Sequence, residues 1–517
     1  MRTTCALPLR RFAGLCLALA SLATTTLRAE VKLPSLFADH MVLQQDKALP
    51  VWGWASPGEN VTVTLGGQSK STTAGADGKW SVKLEPVKTG APLTLTVKGN
   101  NSITINDVLV GEVWLCSGQS NMAMTVNRAK DYEQEQAAAK FPLIRMFIVS
   151  SAHAVTPQAE CAGKWVVCAP DTVGTFSATA YFFGREVHQK LGVPVGLINS
   201  SVGGTAIEAW TSIDVQKNRA DIRPILERWE KAQVEYVPAT AEEQYQTALA
   251  RHKEAVAKAK VAKTKAPRAP QKPVEPRTDR NHPSNLYNGK IAPLIPYALR
   301  GAIWYQGENN AARGFPDLYR IQLPLLIKDW RDRWGQGDFP FAWVQLPNYR
   351  RRATDPGAPS DWAVLRESMV VSLKTPNTGM AITIDIGEEG DIHPKNKQDV
   401  GRRLAMWALS KVYGRPGESC GPLYKSHQIK GDKVTVTFDH ADGLTAKGGD
   451  VKGFAIAGAD KKWHWAQAKI NGSKVIVSSP DVKAPVAIRY AWADNPDCNL
   501  YNAAGLPAST FRTDDWK

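Results

Sequence analysis

The sequence predicts an α/β protein, with a mainly parallel sheet covered by helices on both faces and β-rich modules before and after it. Three observations carry that prediction. Between about residues 106 and 415, short apolar runs at Val113–Leu115, Ile144–Val149, Val195–Ile198, Ala302–Tyr305, Phe341–Leu346 and Ala381–Ile386 alternate with helical stretches, as in strands joined by crossover helices. Ahead of this segment, Val61–Leu65, Trp80–Leu84 and Leu93–Val97 alternate apolar and polar side chains, with turns at Ser56-Pro57-Gly58 and Ala76-Asp77-Gly78, the pattern of a small β-sandwich. From about residue 420 the alternation returns at Val434–Phe438 and Val486–Tyr490.

A chain of 517 residues exceeds one ordinary core. The expected division is a leader over 1–29, an N-terminal β-sandwich over 30–105, the α/β domain over 106–415 and a C-terminal β-rich module over 416–517. Arg2, Arg10 and Arg11, followed by the apolar run Phe12–Ala20, have the form of a secretory signal, with cleavage after Ala29 or nearer Ser21-Leu22-Ala23. A secreted or periplasmic protein is therefore expected. No run reaches the roughly 20 apolar residues that span a bilayer, so no transmembrane segment is expected.

Loss of the leader removes four arginines and no acid, taking the formal charge from +15 to +11. Residues 251–280 carry ten Lys or Arg against three acids, within an Ala-, Lys- and Pro-rich stretch over 237–280 that reads as an insertion into the α/β domain. It is expected to be a solvated helix and linker. No aromatic residues interleave with its charges, which argues against nucleic-acid binding.

Five cysteines lie beyond the leader: Cys116, Cys161, Cys168, Cys420 and Cys498. Export permits disulfides, and Cys161 with Cys168 or Cys420 with Cys498 are the candidate pairs, whereas Cys116 on an apolar strand reads as a core thiol. No spacing resembles a zinc site, and no cofactor is expected. Oligomeric state is not legible.

The chemistry centres on Gly111–Met122, where an apolar strand runs into Gly118-Gln119-Ser120-Asn121. A strand that stops in such a turn can present Ser120 at the carboxyl edge of a sheet, its hydroxyl exposed and its amide free for an oxyanion. A hydrolytic serine also needs a base, an orienting partner and oxyanion donors. His393, in Gly390-Asp391-Ile392-His393-Pro394 after the last apolar strand, is the best base among nine histidines. Asp391 is the natural orienting carboxylate, although one intervening residue is tight, and Asp385, Glu388 or Glu389 could substitute. The paired glycines after strand Val195–Ile198 allow close backbone approach, with Gly204 as the chosen donor. Gln306 or Asn309, in Trp304–Asn310, could donate a side-chain hydrogen bond. Four polar loops after strands of one parallel sheet form a joint pattern that points to acyl transfer.

Gly118–Met122, Gly203–Trp210, Trp304–Glu308 and Asp391–Pro394 together resemble the sialate O-acetylesterase family of SGNH-type hydrolases, and the resemblance continues at Leu286–Gly289 and Asn499–Asn502. It spans nearly the whole chain after the leader, the basic insertion excepted. The resemblance implies a flavodoxin-like SGNH hydrolase domain that removes O-acetyl groups from sugars without a metal, with Ser120 as nucleophile, His393 as base, and an acetylated glycan as partner. It leaves the sugar open between sialic acid and plant polysaccharides such as xylan and xyloglucan. Arg350, Arg351 and Arg352 are candidates for a sialic carboxylate, against a reading as solvated charge. Trp463, Trp465 and Trp492 are candidates for stacking on sugars, with core packing favoured. Two other classes compete: a glycan-binding protein that has lost turnover, and a serine peptidase, for which no peptide subsite is marked.

Overall fold

The computed structural model describes residues 30–516, so the expected leader over 1–29 lies outside the described residues. The principal sheet has 11 strands. Its central path is built from β1 (Ser102–Gly118), β2 (Ile144–Val149), β3 (Gly163–Val167), β4 (Val195–Ser201), β5 (Gly301–Tyr305), β6 (Phe341–Val344) and β7 (Thr378–Ala381), in the spatial order β7-β6-β5-β1-β4-β2-β3. All neighbours are parallel except β2 and β3. Taking β1 as first, β4-β1-β5-β6-β7 follow the flavodoxin-like order 2-1-3-4-5, with β2 and β3 added at one edge.

Parallel strands buried on both faces should be continuously apolar, and β1 from Val108 to Gly118, β5 and β6 are buried at every position. Their tryptophans divide between the faces. Trp114 on β1 packs edge-on against Phe183 of α2 (Ala178–Leu191) and against Trp407 of α5 (Lys397–Trp407). Trp304 on β5 meets Trp330 of α4 (Tyr319–Trp334) and Trp210 on the other side. Helices α2 and α5 approach so closely that a Cβ on Gly401 would lie 2.5 Å from that of Phe182.

The N-terminal strands keep their period of two: Lys79–Leu84 alternates exposed and buried side chains, and Val61, Val63, Leu65, Leu95 and Val97 are fully buried. Leu93–Lys98 pairs antiparallel with the first half of β1, whose second half belongs to the parallel sheet. One unbroken strand of 17 residues thus links the N-terminal layer to the strand that carries Ser120.

The apolar run Ala381–Ile386 does not form the expected strand. β7 ends at Ala381, after which the Ile386 amide turns back onto the Thr383 carbonyl and the Ile382 carbonyl accepts from Arg403. Beyond Cys420 lie two antiparallel sheets of four strands each. A two-stranded sheet pairing Thr445–Ala446 with Leu500–Tyr501 accompanies them, and this C-terminal region meets the α/β segment where Tyr501 donates to Asp385 at 3.1 Å and Arg366 donates to the Ala493 carbonyl at 2.7 Å.

Neither expected disulfide forms, and all five cysteines among the described residues are free thiols. Cys161 and Cys168 flank the extended strand β3, which at about 3.3 Å per residue holds them far beyond bridging distance. Cys420 faces the Met380 carbonyl, whereas Cys498 lies beside Tyr490. The basic stretch contains the 24-residue helix Pro238–Val261, of which only Ala259 is buried.

Candidate active site

Register brings the polar turns together. Gly118, the last residue of β1, is paired with Ser201 on β4 and Tyr305 on β5, so the chains leaving these three strands emerge side by side at the carboxyl edge. This is the topological switch point, where open α/β sheets bind ligands. Gly118 has φ +136°, and a Cβ there would lie 2.2 Å from the Tyr305 carbonyl oxygen. Only glycine fits this bend, from which the chain enters α1 (Ser120–Ala123) with Ser120 as its first residue.

His393 reaches Ser120 from the loop between β7 and α5, its Nε2 lying 2.8 Å from the serine Oγ. Its Nδ1 faces Asp391 Oδ1 at 3.5 Å, long for a hydrogen bond. The same oxygen accepts from the His393 backbone amide at 2.8 Å, so Asp391 closes its own turn while facing the ring. Two of the other expected carboxylates are engaged elsewhere. Asp385 is clamped by Arg403 at 2.6 Å, and Glu388 accepts from the Lys395 amide at 2.7 Å. Partial burial pushes the His393 pKa below the ordinary imidazole value; Asp391 opposes this, and the positive charges of Lys397 and Arg128 reinforce it. A neutral imidazole at neutral pH is free to accept a proton.

The loop after β4 closes over the serine. A Cβ on Gly203 would lie 3.3 Å from that of Ser120, and Gly204 has φ +70°. Among the described residues, nothing accepts from the amides of Ser120 or Gly204. Gln306 and Asn309 both grip this loop. Gln306 Nε2 donates to the Thr205 carbonyl at 3.0 Å and to Asn310 Oδ1 at 2.7 Å, which uses both its hydrogens. Asn309, on α3 (Glu308–Ala312), donates to the Gly204 carbonyl at 2.8 Å and keeps one hydrogen.

The carbohydrate esterase, sialic acid-specific acetylesterase family model matches residues 110–266 and 283–410, which include Ser120, Gly204, Gln306, Asn309 and His393. The chain belongs to this family. It is 32% identical to a rat sialate O-acetylesterase over 92% of this chain and 93% of the relative. It is 30% identical to the human sialate O-acetylesterase, covering 92% and 91% of the two chains. A solved carbohydrate acetylesterase from Xanthomonas citri superimposes with TM-score 0.80 at 39% identity, covering 94% of this chain and 100% of that one. The protein is a carbohydrate O-acetylesterase, and the serine–histidine pair lies where such a fold presents its ligand.

Three further residues beside the serine–histidine pair were not singled out from the sequence. Asn121, next to the serine, donates to Glu308 Oε1 at 2.5 Å and to the Ile392 carbonyl at 3.0 Å, and accepts from Lys397 Nζ at 2.8 Å. Lys397 also donates to the Pro394 carbonyl. This buried network therefore holds both backbone carbonyls that flank His393. Burial pushes the Glu308 carboxyl up and brings the Lys397 ammonium down to about 7. Asn121 and Glu308 both lie inside motifs already recognised, but nothing local marks Lys397 as different from a surface lysine.

The arginine run after β6 proves to be structural at two of its three positions. Arg350 pairs with Asp494 at 2.8 Å and Arg352 with Asp497 at 3.1 Å. Trp492 is buried beneath Arg489 and Arg512, Trp463 lies between Arg489 and Trp516, and half-exposed Trp465 donates to the Thr354 carbonyl. Among the described residues no helix is long and apolar enough to cross a membrane.

Proposed function

We propose that this esterase is an exported serine hydrolase whose first substrate is O-acetylated sialic acid, with Ser120 as nucleophile and His393 as general base. The 2.8 Å contact between His393 Nε2 and Ser120 Oγ carries the reading. His393 takes the hydroxyl proton as Oγ attacks the acetyl carbonyl carbon. The oxyanion that forms is met by the amides of Ser120 and Gly204, with the remaining Asn309 hydrogen as a third donor, while Gln306 fixes the Thr205 carbonyl and so the aim of the loop. Collapse breaks the ester bond, and the sugar oxygen leaves with the proton held by His393. Water, deprotonated by the same imidazole, then attacks the acetyl-enzyme, releases acetate and returns the proton to Ser120. Asp391 stabilises the transient imidazolium from 3.5 Å. The names of the rat and human relatives support sialic acid, and acetylated xylan or xyloglucan is the alternative. Arg2, Arg10 and Arg11 ahead of Phe12–Ala20 support export, and the domain limits 30–105, 106–415 and 416–517 stand as our proposal.

Acetate release from acetylated sialosides, xylan and xyloglucan by wild type and Ser120→Ala tests this reading. Release by wild type, with loss of at least about 10⁴-fold in the variant, is expected. Full turnover by Ser120→Ala would remove the serine mechanism. A wild type that binds these glycans without releasing acetate would indicate a binding role.

A further inference from the structure

We infer that Arg280 reads a carboxylate on the acetylated sugar, so that the site prefers O-acetylated sugar acids to neutral acetylated sugars; the inference rests on the esterase reading of Ser120. Its starting point is the position of one guanidinium. A Cβ on Gly204 would lie 3.6 Å from Arg280 Nη2, which places the charged group against the loop that closes over the serine.

The backbone that carries Arg280 is fixed, although its side chain is exposed. Asn281 accepts from the Ala206 amide at 2.9 Å, reaches the Gly204 carbonyl at 3.4 Å, and donates its own amide to Asp279 Oδ1 at 2.6 Å. Asn285 holds the Asp279 carbonyl at 2.8 Å. The residues on either side of Arg280 are therefore tied down, one of them directly to the glycine loop.

Among the described residues Arg280 has no ion-pair or hydrogen-bond partner. Neighbouring arginines differ in this respect, since Arg228 pairs with Glu208 at 3.1 Å and Arg333 with Asp329 at 2.6 Å. On the opposite rim Arg128 is likewise without an ion-pair partner. Lys130, two residues on, donates its amide to the Lys395 carbonyl at 2.8 Å, which sets this segment beside the histidine loop. Arg280 thus stands beside Gly204 and Arg128 near His393, both without an ion-pair partner among the described residues.

An unpaired arginine forms a planar fork that matches a carboxylate with two parallel hydrogen bonds. Such a group on the substrate would supply the partner that Arg280 lacks among the described residues. The earlier candidates, Arg350 and Arg352, already have carboxylate partners, and Arg280 falls in the segment 267–282 that separates the two stretches matched by the family model. Sialic acids and uronic acids share the required chemistry.

The test compares kcat/KM for 9-O-acetyl-N-acetylneuraminic acid with that for its 1-carboxamide, and for acetylated galacturonate with acetylated xylose, using wild type, Arg280→Gln and Arg280→Lys. Wild type is expected to favour the acid of at least one pair, and the pair that responds identifies the sugar. In Arg280→Gln the acid-to-neutral ratio should fall about 10- to 100-fold, mainly through KM, with Arg280→Lys intermediate. The wild-type preference should also weaken as salt rises from 0.05 to 0.5 M. Equal losses on acid and neutral esters would overturn the inference, as would a wild type indifferent to the carboxylate, and either result would leave the serine esterase intact. Absence of turnover on every ester would overturn both readings.

Discussion

The proposed nucleophile, Ser120, and its proposed base, His393, are held by different physics. Ser120 sits where the parallel ladder ends: Gln119 donates its amide to the Tyr305 carbonyl, Val202 donates to the Gly118 carbonyl, and the bend at Gly118 tolerates no side chain. His393 hangs on a loop of 15 residues between β7 and α5, fixed from below by the buried side chains of Asn121 and Lys397. One half of the site is set by backbone register, which neighbouring strands over-determine. The other half depends on a few polar groups whose charge changes with pH. Damage to the serine side should accordingly appear as loss of structure, and damage to the histidine side as a shift in pH behaviour.

Gly118→Ala should give the largest effect. The added Cβ meets a backbone oxygen that cannot move without parting β1 from β5, at a φ that non-glycine residues avoid. A stability loss of about 3 kcal/mol or more is expected in denaturant titration, with little active protein recovered. A stable, active variant would show that the turn is softer than its register implies.

Lys397→Met separates the two halves. Activity should fall about 10-fold as the Pro394 carbonyl loses its donor, while the fold survives. Lys397⁺ disfavours protonation of His393, so its removal should move the acid limb of the kcat/KM profile upward, toward the ordinary imidazole value. The wild-type lysine titrates near 7 when folded and near 10.5 when unfolded, so between those values the unfolded chain binds more protons. Its contribution makes stability fall as pH is lowered from 10.5 toward 7, and the variant should lose that slope. An unchanged pH profile would remove Lys397 from the electrostatic surroundings of His393.

Asn309→Ala should lower kcat about 10- to 100-fold with little change in KM, because it removes one donor and frees the Gly204 carbonyl. A change confined to KM would place Asn309 in substrate binding instead. The smallest effect is expected for Asp391→Asn, below about 10-fold, since this half-exposed carboxylate lies 3.5 Å from the ring and also closes its own turn. A loss of several thousandfold would show that the contact tightens when substrate binds.

The meeting of the candidate-site residues at one edge was legible in residue order. Ser120, Gly204, Gln306 and His393 each follow an apolar run, and strands of one parallel sheet end at one edge whatever their spatial order. The disulfide candidates were misleading because spacing along the chain says nothing of the rigid strand between Cys161 and Cys168. The arginine run invited a substrate role because Asp494 and Asp497, more than 140 residues away in sequence, were not visible as its partners.

The sequence by itself determined the alternation of strand and helix, the glycine that lets Ser120 turn, and the four polar loops that had to meet. Periodicity and φ > 0 are local properties, readable from neighbours in the chain. Only the tertiary structure decided that β4 and β5 flank β1, that Lys397 is buried beneath the histidine loop, and that Arg280 stands beside Gly204 with no partner among the described residues. A charged side chain takes its meaning from what surrounds it in space, and each of these surroundings is assembled from segments far apart in sequence.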